Sequence, residues 1–363
     1  MDKKPKIALV FGGMSAEHEI SVQSAKSIYH AINKEKYKLF LIWIDKEGAW
    51  HLVKDDKVNF YDWMPSQQNK GRKIITVSLV KGSDFVSIIN MSNFSYITDI
   101  DLFFPILHGP NGEDGSMQGL LKFYNIPFVG SGILGSAICM DKDVMKRLLR
   151  DANLPITDFL VLNRKEKISY TDISHELGNI VFVKPANMGS SVGISKVSNE
   201  EEYNLAIRKA FEYDKKIILE SCVEGRELEC AVLGNQEPMA SKPGEIITKK
   251  FFYTYEAKYE DMNSTILQIP ANLDEKIISD IQNISIKSYK TLCCEVMARV
   301  DLFLTKQNNV IINEINTIPG FTKMSMYPKL WEVSGIPYHE LIDKLIDLAI
   351  ERFKSEKDLS CSE

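Results

Sequence analysis

Residues 298–316 have the sequence ARVDLFLTKQNNVIINEIN, in which two runs of alternating apolar and polar side chains flank a polar turn. A period of two is typical of β-strands with one buried face, so residues 298–304 and 310–316 are predicted to be strands. The turn-forming residues 306–309 join them into a β-hairpin. Residues 317–320, TIPG, then place a glycine, which has no side chain, just after the hairpin.

Four polar side chains are predicted to share one face of this hairpin. With the turn centred between residues 307 and 308, Asp301 lies opposite Glu314 and Arg299 lies opposite Asn316. Two carboxylates roughly 5 Å apart at their Cβ atoms are unfavourable unless a positive charge lies between them. Carboxylate and amide oxygens suit Mg²⁺, which keeps coordination positions for substrate phosphates. The face predicts either a magnesium site or a solvent-facing strand on which Arg299 bridges the acids.

Length and composition describe a globular chain with more than one domain. The 363 residues fit two or three domains, and 44 % hydrophobic with 26 % charged residues allows well-packed cores. A net charge of -5 without a lysine and arginine stripe argues against a nucleic-acid partner. No segment is long and apolar enough for a membrane span or a signal peptide. Six cysteines without a CxxC pair favour the cytoplasm over a disulfide framework or a zinc site.

The first third of the chain has the pattern of a parallel sheet. Residues 6–11, 37–44 and 102–107 are predicted strands, and residues 17–32 are a predicted helix between the first two. This βαβ order indicates an N-terminal α/β domain. Residues 45–98 show no clear period and receive no prediction.

Pro155 marks a predicted domain boundary, after which the pattern changes. Residues 156–225 combine strand-like runs with one clear helix, as in a small α+β module. The remainder is predicted to contain a strand, a long polar and aromatic loop, and two helices on either side of the hairpin, at residues 227–233, 251–264, 274–292 and 338–353.

A glycine- and serine-rich loop, KPANMGSSVG at residues 184–193, joins two strand-like runs. Its small residues allow backbone N–H groups to surround phosphate oxygens, and Lys184 would add a positive charge. The loop is neither a Walker A motif nor a dinucleotide fingerprint, because no GK[ST] or GxGxxG leads from a strand into a helix. By itself it predicts a phosphate loop or a flexible hairpin equally well.

Other charged residues could complete a nucleotide site. Lys142 begins a helix predicted at residues 141–151, and with Lys184 and Lys258 it would supply three cations for one triphosphate. Glu220 and Glu227 flank a linker on which adenine could stack. Alternatively, the lysines are ordinary solvated side chains, and Glu220 and Glu227 are exposed acids.

Two further glycine-rich loops follow predicted parallel strands, GGMSAE at residues 12–17 and HGPNGEDG at residues 108–115. Open α/β sheets bind ligands at the carboxyl ends of their strands, so both loops are candidate substrate loops. The alternative is turn and capping chemistry, with Ser15 as the N-cap of the first helix and Asp114 as a cap of the next.

Taken together, seven blocks resemble the D-alanine–D-alanine ligase family of ATP-grasp enzymes. They are residues 12–21, 108–119, 140–142, 184–193, 255–259, 299–301 and 313–322. They occur in order along nearly the whole chain, which makes the match far more specific than any single block. The resemblance implies a three-domain ATP-grasp fold of α/β and α+β class with an N-terminal parallel-sheet domain. The implied domains are an N-terminal domain that binds the first D-alanine (1–139), a central subdomain (140–225), and a C-terminal subdomain with the metal and second-substrate site (226–363).

The resemblance implies that ATP binds between the central and C-terminal subdomains with two Mg²⁺ ions, for which Mn²⁺ can substitute. It assigns the metal to Asp301, Glu314 and Asn316. It assigns nucleotide contacts to Lys142, Lys184, Ser191, Glu220, Ser221, Val223, Glu227 and Lys258.

The resemblance also implies how the first D-alanine is held. Glu17 matches the acid that receives its ammonium group, and His108 lies near that substrate. Ser190 and Tyr259 match the partners that, with Glu17, close a mobile loop over the site.

The implied reaction has two steps and needs no covalent protein nucleophile. The first D-alanine carboxylate accepts the γ-phosphoryl group of ATP, and the amine of a second D-alanine attacks the resulting D-alanyl phosphate. Arg299 and the N–H of Gly320 match the oxyanion donors, and Ser325 matches the group that binds the second carboxylate. The product, D-alanyl-D-alanine, is a peptidoglycan precursor, and the resemblance implies a homodimer.

Two other functions remain open at this point. A relative that joins D-alanine to D-serine or D-lactate would share most of these residues, although residues 255–259 and Ser325-Met326 resemble the alanine-using type. A nucleotide-binding protein that kept the fold but lost ligation belongs to a different class. The complete set of expected acids, Arg299 and Ser325 argues against it.

Overall fold

A computed structural model describes residues 4–53, 74–82, 85–248 and 265–359. Within these residues the strands form three sheets of seven, four and six strands. The predicted combination of a parallel-containing N-terminal sheet with α+β units is confirmed. None of the helices in the described ranges combines the length and the apolar surface that crossing a membrane requires.

The N-terminal sheet has the order β6-β5-β4-β3-β2-β1-β7. Its elements are β1 (Lys6–Gly12), α1 (His18–Ala31), β2 (Lys38–Ile44), β3 (Trp50–Val53), β4 (Ile74–Lys81), β5 (Val86–Asn90), β6 (Tyr96–Ile100) and β7 (Leu102–Pro105). Strand β1 pairs in parallel with β2 and β7, as the βαβ pattern predicts. The described parts of residues 45–98, for which no prediction was made, add four antiparallel strands to one side of this sheet.

Three helices lead from this sheet to the middle of the chain: α2 (Ser116–Phe123), α3 (Ile133–Met140) and α4 (Lys142–Asp151). Asp141 is the N-cap residue of α4, because its carboxylate accepts hydrogen bonds from the backbone N–H groups of Asp143 and Val144. It ends before Asn153, whose φ of 55° is the left-handed conformation typical of helix ends. Helix α3 was not predicted, because its sequence ILGSAICM is apolar on every side and shows no period.

The central sheet is antiparallel, with the order β10-β9-β11-β8. Its elements are β8 (Phe159–Asn163), α5 (Tyr170–Leu177), β9 (Val181–Pro185), β10 (Ser195–Val197), α6 (Glu200–Tyr213) and β11 (Lys216–Ser221). Helices α5 and α6 close a separate hydrophobic core against this sheet. The predicted small α+β module is therefore present.

The C-terminal sheet has the order β15-β14-β12-β16-β17, with β13 also paired to β12. The elements are β12 (Gly225–Gly234), β13 (Met239–Ala240), β14 (Gly244–Thr248), β15 (Thr265–Gln268), α7 (Glu275–Thr291), β16 (Val296–Thr305), β17 (Val310–Asn316), α8 (Met326–Val333) and α9 (Tyr338–Lys357). Side chains of α4 share a core with β12, β16, β17 and α7. The exact domain limits 1–139, 140–225 and 226–363 stay a prediction.

The predicted hairpin is β16–β17, and its polar residues pair as expected. Asp301 lies opposite Glu314, and Arg299 lies opposite Asn316. The turn, however, is centred on residue 307, and the register shifts by one residue next to Asp301. Asn313 is the extra residue of this β-bulge, which restores the predicted pairs at the far end of the hairpin.

The N-terminal and C-terminal sheets meet in one hydrophobic core. Phe321, on the segment after β17, packs edge to face against Phe104 of β7 with ring centroids 6.4 Å apart. Arg352 of α9 is buried and donates to the carbonyl oxygens of Phe128 (2.8 Å) and Gly130 (2.5 Å). These contacts bring the ends of β1, β7 and β17 to the same region of the molecule.

Candidate active site

A single open cavity of 1470 Å³ brings together residues from widely separated parts of the sequence. Nine of the predicted site residues line it: Glu17, His108, Lys142, Ser190, Arg299, Glu314, Asn316, Gly320 and Ser325. They come from the ends of N-terminal strands, the central loop and the C-terminal hairpin. The cavity is therefore the candidate active site.

The N-terminal side of the cavity is formed by Glu17, which directly precedes α1. The hydroxyl of Ser190, in the central loop, donates a hydrogen bond to Glu17 Oε1. Ser190 and Ser191 have φ values of 51° and 60°, so the loop turns through the left-handed region twice in succession. The N-cap residue of α1 is Glu17 and not Ser15, whose hydroxyl accepts from the Glu17 N–H at 3.2 Å and donates to the His108 carbonyl at 2.6 Å. The loop between β1 and α1 is thus tied to two other loops of the site.

His108 is buried where β7 meets the C-terminal part of the chain. Its Nδ1–H donates to the carbonyl oxygen of Ile318 at 3.0 Å, and Nδ1 lies 3.8 Å from Glu113 Oε1. Burial lowers the pKa of His108, but the Glu113 carboxylate more than offsets burial, so the pKa lies above its usual value. Burial raises the pKa of Glu113. The pair joins a substrate loop to the segment that carries Gly320.

Lys142, the first residue of α4, connects the glycine-rich loop to the hairpin. Its Nζ donates to the Met188 carbonyl at 2.7 Å and lies 3.3 Å from Glu314 Oε2. The start of α4 is held in place because Lys216 pairs with Asp141 at 2.7 Å. A lysine at a helix start is often only solvated, but only 8 % of the Lys142 side-chain surface is exposed.

Lys184 and Glu220 form an ion pair between neighbouring strands β9 and β11. The distance from Lys184 Nζ to Glu220 Oε2 is 2.5 Å. Burial lowers the pKa of Lys184, but Glu220 outweighs burial and raises it. Burial raises the pKa of Glu220, but the lysines beside it lower that pKa to about 2. Glu220 is therefore a buried carboxylate, and the alternative of an exposed acid is wrong for this residue.

Arg299, on the hairpin face, lies between the carboxylates of Asp301 on the hairpin and Glu229 on β12. Its Nε and Nη2 donate to the two oxygens of Asp301, each at 2.6 Å, and Nε lies 3.1 Å from Glu229 Oε2. Burial lowers the pKa of Arg299, but Asp301 and Glu229 raise it well above its usual value. The alternative in which Arg299 bridges acids is thus partly right. Three residues of the face, Arg299, Glu314 and Asn316, however, line the cavity, so the face is not an open strand surface.

Gly320 and Ser325 form a tight turn at the start of α8. A side chain on residue 320 would place its Cβ 2.6 Å from the Ser325 hydroxyl oxygen, so a larger residue there would force the Ser325 side chain to move. The Ser325 hydroxyl accepts from the Thr322 N–H at 3.0 Å. Both residues therefore present polar groups to the same part of the cavity.

The donor set on the hairpin suits a hard cation. Asp301, Glu314 and Asn316 offer two carboxylates and one amide oxygen on one face, which are the ligand types that Mg²⁺ takes. Each Asp301 oxygen accepts one hydrogen bond from Arg299 and keeps a further lone pair. Among the residues that the structure describes, no group of three or more His, Cys, Asp or Glu side chains forms a metal site by itself. A cation here would also need oxygens from a substrate.

Seven other predicted site residues in the described ranges do not line the cavity: Lys184, Ser191, Glu220, Ser221, Val223, Glu227 and Asp301. Ser221 ends β11, Val223 lies in the connection to β12, and Glu227 is on β12 opposite Ile246 and Phe303. Lys258 and Tyr259 lie outside the described residues. Their predicted roles, like those of all site residues, stay predictions.

Sequence reasoning missed two charged residues of the site. Glu229 contacts Arg299 and lies two residues after Glu227 on β12, so the period of a strand would have placed it on the same face. Lys146 lies one helical turn after Lys142, and its Nζ is 3.1 Å from Glu220 Oε1. Both could have been found from spacing alone.

Two family models match this chain. The model described as D-ala D-ala ligase N-terminus matches residues 6–131, and the one described as D-ala D-ala ligase C-terminus matches residues 148–347. A D-alanine–D-alanine ligase of Oceanobacillus iheyensis is 49 % identical over 361 residues, which cover 99 % of both chains.

Solved structures are similar over nearly the whole length. The D-alanine-D-alanine ligase from Coxiella burnetii superposes with a TM-score of 0.86 at 38 % identity, covering 98 % of this chain and 96 % of that one. The VanG D-Ala:D-Ser ligase from Enterococcus faecalis superposes with a TM-score of 0.85 at 34 % identity, covering 96 % of this chain and 100 % of that one.

Proposed function

The chain belongs to the D-alanine–D-alanine ligase family, with the ATP-grasp fold, and from this we propose that its cavity joins two D-alanine molecules at the expense of ATP. The observation that carries the proposal is the convergence of nine predicted site residues on one cavity. The product is D-alanyl-D-alanine, a precursor of peptidoglycan, and the other products are ADP and phosphate.

The phosphate chain of ATP is proposed to bind between the central loop and the hairpin. Lys142 lies between the Met188 carbonyl and Glu314, so its ammonium group is directed to the space between loop and hairpin. Lys184 provides a second positive charge beside Asn313 Oδ1, at 3.4 Å. The remaining predicted contacts to the nucleotide, Ser191, Ser221, Val223, Glu227 and Lys258, belong to the same proposal.

Two magnesium ions, replaceable by manganese, are proposed to be held by Asp301, Glu314 and Asn316. When bound there, such ions neutralise charge on the transferring phosphoryl group. Lys142 Nζ lies 3.3 Å from Glu314 Oε2, so this lysine orients the carboxylate. Arg299 in turn orients Asp301 through two hydrogen bonds.

The first D-alanine is proposed to place its ammonium group on Glu17, whose Oε1 is already oriented by the Ser190 hydroxyl. Its carboxylate then accepts the γ-phosphoryl group, which forms D-alanyl phosphate and releases ADP. His108 stabilises the substrate end of the pocket through its contacts with Ile318 and Glu113. Closure of the loop that contains Tyr259 would exclude water from the acyl phosphate.

The second D-alanine is proposed to bind its carboxylate at Ser325. Its deprotonated amine attacks the acyl phosphate carbon, and the C–O bond to phosphate breaks as the amide forms. The negative charge that develops on the carbonyl oxygen is stabilised by Arg299 and the N–H of Gly320. Arg299 suits this role because its guanidinium group is buried, charged and fixed by Asp301.

Phosphate release from Mg-ATP tests this function directly. D-Alanine alone should support release, with D-alanyl-D-alanine identified by mass spectrometry, and L-alanine should not. Release that requires D-serine or D-lactate would identify a ligase of the resistance type, and the VanG ligase is the less similar relative at 34 % identity. Nucleotide binding without turnover on any pair would contradict ligation.

Ser325→Ala is expected to raise the KM for the second D-alanine by about tenfold, the scale of one lost hydrogen bond to a charged group. The KM for the first D-alanine should stay within about threefold, because Glu17 is unchanged. Both constants follow from initial rates over a wide D-alanine range. Ser334→Ala is the control, since Ser334 lies at the other end of α8, where its hydroxyl donates to the Leu330 carbonyl. An unchanged second KM would remove the assignment.

We further propose that the protein works as a cytoplasmic homodimer. The described cysteines carry free thiols, as expected in a reducing compartment. Light scattering of the purified protein would give the oligomeric state.

A further inference from the structure

Lys146 is a buried lysine that the proposed reaction does not use. It lies on α4, one turn after Lys142, and its side chain has 0 % exposure. Its Nζ donates to the hydroxyl of Thr157 at 2.7 Å and lies 3.1 Å from Glu220 Oε1. Burial lowers the pKa of Lys146, although Glu220 opposes this effect. A charged group without access to water needs a compensating function or partner.

Glu220 is shared between Lys146 and Lys184. Oε1 faces Lys146, and Oε2 is 2.5 Å from Lys184 Nζ, so each ammonium group has one carboxylate oxygen. The three residues, here called the lysine–glutamate trio, carry one net positive charge. Exposure falls from 12 % for Lys184 to 3 % for Glu220 and 0 % for Lys146. The trio therefore opens to solvent mainly through Lys184.

The net charge of the trio depends on Lys146. With Lys184 and Glu220 alone the pair would be neutral, and the attraction of Lys184 for an anion would be largely cancelled by the carboxylate in contact with it. With Lys146 in place, the Glu220 charge is already balanced from the interior. The charge of Lys184 then remains effective toward the hairpin, where Asn313 Oδ1 lies 3.4 Å from its Nζ.

We propose that Lys146 is a positioning residue for the nucleotide phosphates: it neutralises Glu220 from behind, so that Glu220 does not cancel the positive charge that Lys184 presents to them. This inference rests on the proposed ATP site. Lys146 touches neither substrate, because it is fully enclosed, and it acts through Glu220 and Lys184. The proposed phosphate site would thus include a residue, Lys146, that lies behind the side chains in contact with the phosphates.

The test is the affinity of the full-length protein for ADP, measured by isothermal titration calorimetry with magnesium present. Lys146→Met should weaken ADP binding by about tenfold, the scale of one unit charge acting over several ångströms in a partly buried site. Lys146→Gln should weaken it similarly, and it keeps a donor for Glu220 and Thr157 if the methionine variant does not fold. The KM for D-alanine should stay within about threefold in both variants.

The double variant Lys146→Met with Glu220→Gln distinguishes charge from packing. Because Glu220 is itself assigned to the nucleotide, the double variant is compared with Glu220→Gln alone: without the carboxylate that Lys146 neutralises, Lys146→Met should change ADP affinity by less than about threefold. A merely structural role for Lys146 predicts the same loss in both backgrounds, because the packing defect is the same. Lys209→Met on the exposed side of α6 is the control for the loss of one positive charge from the same part of the chain.

Each result supports or overturns a specific step. Weakened binding in the Lys146 variants, with little further loss when Lys146→Met is added to Glu220→Gln, supports the inference. Wild-type affinity in Lys146→Gln, or an equal loss from Lys146→Met in both backgrounds, overturns the role of Lys146 and leaves the ATP site standing. Absence of ADP binding by the wild-type protein overturns the nucleotide site and, with it, this inference.

Discussion

Arg299→Lys is expected to lower kcat by about 10²–10³-fold while the protein stays folded. Arg299 binds both oxygens of Asp301 at 2.6 Å and also lies 3.1 Å from Glu229. Lysine keeps the positive charge between these acids, but its ammonium group is a point charge that cannot form a planar fork. The substitution therefore removes the directed donor to the oxyanion more than it removes the counter-ion.

The measurement combines phosphate release at saturating substrates with urea unfolding. Losing charged hydrogen bonds lowers the free energy of unfolding by about 1.5–3 kcal/mol, which leaves a protein of ordinary stability mostly folded. Arg226→Lys is the matched control, because Arg226 forms the same two-bond fork with Glu245 on the same sheet, outside the cavity lining. If both variants lost kcat equally, Arg299 would have a structural role only.

Glu314→Gln is expected to lower kcat by about 10³-fold with little change in stability. The substitution keeps the shape of the side chain but removes the charge that holds a metal ion. Glu314 retains 34 % exposure, and its ion pair with Lys142 spans 3.3 Å. Lys142 keeps its hydrogen bond to the Met188 carbonyl, and Glu314 itself is one-third exposed, so the free energy of unfolding should fall by only about 1 kcal/mol.

A magnesium titration separates metal binding from other effects of Glu314→Gln. The variant should need a higher magnesium concentration for half-maximal rate, because one anionic ligand is lost. Glu224→Gln serves as control, since that carboxylate is 80 % exposed and lies 3.6 Å from Lys306. Parallel losses of activity and stability in Glu314→Gln would return the residue to a structural role.

The hairpin illustrates how local pattern determined much of the site. Alternation and turn chemistry were sufficient to predict that Asp301 faces Glu314 and Arg299 faces Asn316, and the structure confirms both pairs. The prediction placed the turn half a residue too far along the chain, and the bulge at Asn313 compensated for this. A bulge inserts one residue without changing the composition of the strand, so the alternation of apolar and polar residues did not predict it.

Elements with weak or misleading periodicity were not predicted. Helix α3 is apolar on all sides, and the strands within residues 45–98 are short and separated by segments without a clear period. Helix α8 has a proline, Pro328, as its third residue, and this proline interrupts the apolar pattern. In each case packing against other elements, and not local preference, decides the conformation.

The chain alone determined the class of the fold, the pairs Asp301–Glu314 and Arg299–Asn316 of the hairpin, and the family, because these depend on short-range periodicity and on ordered blocks of residue types. Only the tertiary structure decided which charges meet. From the sequence Glu220 was either a nucleotide contact or an exposed acid, and in the structure it is the buried partner of two lysines from different elements. Glu229 and Lys146 gained their importance in the same way. Ion pairing depends on distances between residues that lie far apart along the chain, and those distances exist only after the sheets have packed together.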